Sequence, residues 1–495
     1  MLPVTPELAL LASLVLPILG MFGIMLADRA PNAREAVTLT TAVLTFLCVL
    51  TVFTAVSGGA RPGFTLLTML PGLTLSFEVE PLGALFGLIA SGLWIVNSLY
   101  SIGYMRGNAE KGQTRFYMAF AVAISAALGI AFAANLLTFF VFYEVLTLST
   151  FPLVAHKRDA KARAGSRIYL GILIGTSIGF LLPAIIWTYV LTGTTEFALG
   201  GILLGAPDLR GGLVVILLGL FAFGIGKAAL MPFHPWLPNA MVAPTPVSAF
   251  LHAVAVVKAG VFGILKVVLY VFGTDYLTQT GASDIFVFIA AASILIASAI
   301  AMTQDNLKAR LAYSTVSQLS YVTLGAMLAN DLGILGGATQ IAAHALGKMT
   351  LFMCAGAIYT AAHHSLISEM RGTGRAMPWT WTAYVIGACS IIGLPPMAGS
   401  WPKLFLMLGA LEGASAWILG VLILSSLMNI VYLLAPAVRA FMDEGPAGRG
   451  AGSVAVREAP LFCVIPAWIT AIGTILLFFF MGPLVEFLRP LLGAS

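Results

Sequence analysis

The fold turns on the stretch KAALMPFHPWLP (residues 227–238), where an apolar run is cut by three prolines just after a lysine. Pro232, Pro235 and Pro238 each remove a backbone donor and clash with the preceding turn, so a helix arriving at Lys227 breaks here. A second interruption, GLPPMAGSWPK (393–403), contains Pro395 and Pro396 and ends on another lysine, Lys403. Both lie inside long apolar segments. A broken helix at membrane depth frees carbonyls, which are tolerated only against protein or a water-filled cavity.

The surroundings of the two breaks are almost wholly apolar. Of 495 residues 60% are hydrophobic and 9% charged, against about 25% charged in soluble domains. A spanning helix needs about 20 apolar residues, and such runs recur at 4–26, 36–57, 82–104, 113–133, 135–155, 167–192, 212–250 (interrupted), 252–272, 284–302, 309–329, 334–361, 378–412 (interrupted), 414–438 and 461–483. The expectation is an all-α polytopic membrane protein of about fourteen helices, forming a single membrane domain over 1–495. The polar interruptions at 58–80, 193–211 and 440–458 leave no room for a soluble catalytic domain. The first segment lacks a basic leader and a small-residue cleavage site and reads as a retained helix. Cys48, Cys354, Cys389 and Cys463 are dispersed in apolar helices, with no CxxC spacing to suggest a metal site, cluster or disulfide framework.

Charge placement supplies an orientation. Of 25 Lys and Arg, seventeen fall in loops after odd-numbered spans, and only Arg61, Arg210 and Arg489 fall on the other face. The positive-inside rule makes the first set cytoplasmic and puts both termini outside, as expected for a bacterial inner-membrane protein. The net charge of +5 then anchors helix ends at lipid headgroups and calls for no nucleic acid.

Five lysines remain inside the spans: Lys227, Lys258, Lys266, Lys348 and Lys403; the one acid read as similarly deep is Glu144. An ionised group at the bilayer centre costs about 2.5–3.5 kcal/mol even on the lenient insertion scale, so this set marks a proton or ion route. Burial makes a lysine able to release its proton, and a nearby carboxylate holds the proton on. Lys266, toward the outer end of its helix, reads as snorkelling to the interface. Lys227, one turn before the end of a half-helix, would sit at a negative dipole end, whereas Ser400 as N-cap would place Lys403 near a positive one, so Lys227 would hold its proton more firmly. His344 and Lys348 share a helix face four residues apart. His252 and His234 are secondary candidates; a haem between His252 and His344 leaves the neighbouring lysines unexplained, and no cofactor is expected. Breaks five spans apart suggest inverted five-helix repeats: helices 1–3 in 1–110, a first repeat in 111–273, a second in 274–440, and a loop with helix 14 in 441–495.

The segments HPWLPNAMVAPTPVSAFLHAVAVVKAG (234–260), FYEVLTLSTFPL (142–153), HALGK (344–348) and GLPPMAGSWPK (393–403) resemble the proton-translocating antiporter family. That family includes antiporter-like subunits of respiratory complex I, membrane-bound hydrogenases and Mrp-type cation/proton antiporters. By length the chain resembles a D-type Mrp subunit or a middle complex I subunit, while 238–260 reads closer to the A-type pattern. The resemblance implies broken helices 7 and 12 and a hydrated midplane axis. It also implies a Glu144–Lys227 ion pair, Lys258 as central relay, His344 and Lys348 as the link to the second repeat, and Lys403 as the terminal residue. The function it implies is proton translocation coupled to sodium among other membrane subunits, the alternative being a pump module of a redox complex. No catalytic chemistry is expected in the chain itself.

Overall fold

Short polar side chains cap five of the described helices. Thr5, Asn135, Asp159, Asn306 and Asn330 each accept a hydrogen bond from the backbone N–H three residues on, at 2.6–3.3 Å, satisfying donors that the first turn leaves free. In the computed structural model, which describes all residues except 1–4, 71, 205, 207, 208, 210, 414, 415, 443–456 and 493–495, the helices that follow make a polytopic membrane protein. The basic residues Arg210 and Arg449 lie outside the described residues.

Among the described residues, eleven helices are long and apolar enough to cross a membrane: α1 (Pro6–Leu26), α2 (Pro31–Ser57), α3 (Pro81–Gly107), α4 (Gln113–Ala131), α5 (Leu136–Val154), α6 (Ala160–Thr192), α8 (Thr245–Phe272), α9 (Asp284–Thr303), α11 (Asp331–Ala362), α13 (Trp417–Phe441) and α14 (Leu461–Phe479). The more polar α10 (Leu307–Met327) and two broken segments bring the described spans to the expected fourteen. The broken segments are α7 (Gly212–Gly224, then Trp236–Asn239) and α12 (Pro378–Ile392, then Ser400–Glu412).

Three expectations about boundaries are corrected. The eighth span begins at Thr245, not 252, because Ala243 is extended before Pro244 and Pro246 restarts a helix in its first turn. Pro232 and Pro235 do lie in the break of α7, and Pro395 and Pro396 in that of α12, but Pro238 falls within the first turn of the short Trp236–Asn239 helix, where its missing N–H costs nothing. The interruption at 58–80 contains an antiparallel hairpin, β1 (Gly63–Leu70) with β2 (Leu73–Glu78). This hairpin is tied to the start of α5 by Ser76 N–H donating to Thr138 Oγ1 and Asn135 Nδ2 donating to Ser76 Oγ, at 3.0 and 2.8 Å.

α8 and α11 form the centre. The most apolar 18-residue window of α8 is 100% buried and that of α11 94%. α8 packs on α3, α4, α5, α10, α11 and the break of α7, while α11 packs on α10, α12, α14 and α3. α8 is itself interrupted at Val254–Ala255, a break no proline announces.

Candidate functional site

Lys227 occupies a 3-10 turn beyond the end of α7's first half. Two glycines allow the turn to pack: a Cβ on Gly226 would stand 2.2 Å from Thr176 Oγ1, and one on Gly260 of α8 would stand 2.2 Å from the Ala228 nitrogen and 2.3 Å from the Lys227 carbonyl carbon. Trp236 Nε1 donates to the Gly226 carbonyl at 2.9 Å, satisfying one acceptor freed by the break. From this turn the fully buried Lys227 reaches across to α5, donating to the Tyr143 carbonyl at 2.8 Å and to Thr147 Oγ1 at 2.6 Å, with Nζ 3.1 Å from the Tyr143 ring centroid.

Glu144 stands next in sequence to these acceptors, yet the Glu144–Lys227 ion pair is not closed. Both carboxylate oxygens are buried and have no hydrogen-bond partner. Glu144 and Thr147 are three residues apart on one helix, and Lys227 is bonded to Thr147.

Beyond the break in α8, Lys258 Nζ lies 2.7 Å from His344 Nδ1 on α11, and His344 Nε2 has no protein partner. His344 therefore pairs with Lys258, not with Lys348 as its helical spacing suggested. Lys348 turns instead to α10, donating to Ser314 Oγ at 2.6 Å and to the Leu311 carbonyl at 3.2 Å. Tyr432 continues the line, its hydroxyl 3.0 Å from Ser314 Oγ and donating to Asn429 Oδ1. His252 is fully buried with both ring nitrogens unpartnered and its ring 4.6 Å from that of Phe352. His234 lies in the break of α7 with its ring 6.2 Å from that of Tyr313 and Nδ1 unpartnered.

Lys403 overturns the dipole argument. Gly399, not Ser400, precedes the second half of α12, and the Ser400 hydroxyl donates back to Met397 O at 2.8 Å. The Lys403 side chain folds past Gly393 and its Nζ donates to the Ile392 carbonyl at 2.6 Å and to Ser426 Oγ at 3.0 Å. Ile392 ends the first half of α12, so the ammonium sits at the negative end of one half-helix although its backbone belongs to the other. The ranking of Lys227 over Lys403 loses its physical basis.

Lys266 does not snorkel. It is 2% exposed and forms an ion pair with Glu80 at 3.0 Å. The same carboxylate caps α3, accepting from Leu82 and Gly83 N–H at 2.7 and 2.9 Å, and accepts from Tyr270 OH at 3.0 Å. Glu80, like Glu35, is thus a buried acid that sequence reading did not place at depth. Glutamate is not a usual N-cap residue, and nothing local pointed to Lys266, 186 residues away in sequence. Sequence reading also missed Tyr143, Thr147, Ser314, Ser426, Asn429, Tyr432 and the buried Gln318–Gln340 pair at 2.9 Å; hydroxyls and amides carry no charge to flag them in an apolar run.

The family model for the NADH:quinone oxidoreductase/Mrp antiporter transmembrane region matches residues 133–429, which contain every one of these lysines. The chain is 32% identical over 432 residues to subunit N of an NADH-quinone oxidoreductase from Desulforudis audaxviator (strain MP104C), covering 84% of each. It spans about half the length of the NAD(P)H-quinone oxidoreductase chain 5 relatives it also matches. Its fold is that of a chain in the Mrp complex from Dietzia sp. DQ12-45-1b (TM-score 0.81, 20% identity, 96% of each chain). It is equally that of a chain in the membrane-bound sulfane sulfur reductase, an archaeal respiratory membrane complex (TM-score 0.84, 22% identity, 97% of this chain and 96% of that one). With the family model covering more than half of it, the chain belongs to the NADH:quinone oxidoreductase/Mrp antiporter membrane-subunit family.

Proposed function

We propose that this chain carries protons across a membrane as one subunit of a multisubunit monovalent-cation/proton antiporter, with sodium the coupled ion. The observation that carries the reading is the set of buried lysines in membrane spans, Lys227, Lys258 and Lys348 at 0% exposure and Lys403 at 5%. Each is held by neutral acceptors and not by a carboxylate. A lysine solvated by a carbonyl and a hydroxyl, or by an imidazole, can exist in either protonation state without stranding a counter-charge, as a relay requires. Orphaned buried nitrogens and amides at His252, His344, Gln318, Gln340 and Asn429 are of the kind that bridging water satisfies.

In this mechanism Glu144 and Lys227 form the entrance, alternately paired and separated. Lys258 exchanges its proton with His344 across 2.7 Å, Lys348 passes it along Ser314 and Tyr432, and Lys403 is the last carrier. Regions 111–273 and 274–440 act as the two inverted repeats, the basic face is cytoplasmic and the membrane is a bacterial inner membrane. A second reading is favoured by the identity to subunit N: the same route serves as the pump module of a complex I-like quinone reductase or a hydrogenase, with the redox cofactors in other subunits.

The test is proton translocation by the intact complex in proteoliposomes. Glu144→Ala, Lys227→Ala and Lys258→Met each reduce transport to background while the subunit still assembles; retained flux in all three sinks the route. Mass spectrometry of the stoichiometric partners separates the readings, since iron–sulfur or quinone-site subunits identify the redox complex and their absence favours the antiporter.

A further inference from the structure

At the basic face, where the α1–α2 and α3–α4 connections meet, lies an open cleft of about 880 Å³ lined by Asp28, Arg34, Arg106, Gln113, Thr114 and Arg115 among others. Two long helices begin at it, α2 after Ala30 and α4 after Gly112, and neither residue supplies a capping side chain. Their first N–H groups and dipole ends therefore favour an anion.

The arginines differ in how their charges are matched. Arg106 is neutralised by Glu35, with Nε and Nη2 on the two carboxylate oxygens at 3.0 and 2.5 Å. Arg34 is 5% exposed, its Nη1 and Nη2 donating to Thr114 Oγ1 and Gln113 Oε1 at 3.1 and 2.7 Å. Its Nε has no partner, and among the described residues no carboxylate lies within ion-pair distance of it. Arg115 donates from Nη2 to the His156 carbonyl at 3.2 Å and likewise leaves a buried Nε unpartnered. Asp28 is the one unmatched carboxylate in the lining. A buried guanidinium without a counter-charge is costly, and a tetrahedral phosphate diester supplies both the charge and the acceptors.

We propose that this cleft binds the phosphate headgroup of an anionic phospholipid. A stripe of outward-facing apolar side chains on α1, Val15, Leu19, Phe22 and Leu26, at helical spacing and 41–85% exposed, ends two residues before Asp28. It gives acyl chains a surface continuous with the charged site, which a free phosphate has no use for.

The experiment is native mass spectrometry of the detergent-purified complex, with thermal shifts of the delipidated complex on adding cardiolipin, phosphatidylcholine or inorganic phosphate. Wild type retains anionic phospholipid and is stabilised by cardiolipin alone. Arg34→Gln and Arg115→Gln lose most of both effects, and Arg163→Gln, outside the lining of the cleft, loses neither. Arg34 also ties down the start of α4, so if Arg34→Gln fails to assemble, Arg115→Gln, which leaves those bonds intact, decides. Equal lipid retention in Arg115→Gln and wild type, or stabilisation of wild type by inorganic phosphate matching that by cardiolipin, overturns the proposal. So does crosslinking of a partner subunit into the cleft with no lipid retained.

Discussion

A buried lysine can serve two opposite purposes, and its partner decides which. Lys266 has a carboxylate at 3.0 Å that is itself engaged by Tyr270 and the first turn of α3. This pair is a clasp between α3 and α8. Lys266→Met leaves Glu80 buried and unpaired and costs about 3–5 kcal/mol of stability, whereas adding Glu80→Gln recovers part of that loss. Denaturant or thermal titration of the three forms checks both statements. Lys227 and Lys258, by contrast, bind only neutral acceptors, and their replacement lowers transport while sparing assembly.

At the level of elements, the proposed route depends on how closely the break of α7 approaches α8. Gly260 lets α8 press on the Lys227 turn with no room for a methyl group, since the atoms it would meet are backbone. Gly260→Ala forces the two apart, at a cost of about 1–3 kcal/mol, and displaces Lys227 from Tyr143 and Thr147. Transport falls more steeply than stability, which paired flux and thermal measurements on the same preparation will show; an Ala variant with full transport would mean the turn tolerates the shift. The loop after α5 contributes a different sensitivity. Burial, reinforced by Arg115, Lys157 and Arg158, lowers the His156 pKa from 6.5 to about 4, so the folded protein keeps this ring neutral. The unfolded chain takes up the proton as pH falls through 6.5 and the folded one only near 4, so stability declines across that interval. His156→Gln removes that share of the decline, and thermal midpoints from pH 7.5 to 4.5 measure it.

For the whole molecule, the large-scale architecture was legible because it follows from composition and length. Fourteen apolar runs, proline-cut segments and a lopsided distribution of Arg and Lys are properties of the chain as written, and the solvent, a bilayer, admits helices as nearly the only answer. The five lysines in the spans stood out for the same reason, since charge in an apolar run is conspicuous, but Lys266 was read as reaching the interface and its burial was not legible. The hairpin at 63–78 carried its own signals, the strict alternation of LTLSFE (73–78) and the Pro71–Gly72 turn dipeptide, and they were overlooked because the interval was read only as a gap between spans. The break at Val254–Ala255 was not legible, since no residue of that segment requires it and it arises where α8 is packed on every side.

What tertiary structure alone decided is which group each charge meets. The sequence by itself named Glu144, Lys227, Lys258, His344, Lys348 and Lys403 and ordered them along the chain. Only packing set Lys258 against His344 and Lys348 against Ser314, turned Lys403 back to the carbonyl of the other half-helix, and gave Lys266 to Glu80. The physical reason is range: propensity, proline breaks and hydropathy act within a few residues. The partner of a buried ammonium is fixed instead by which side chains from distant helices reach it when the helices pack, and no local pattern encodes that meeting.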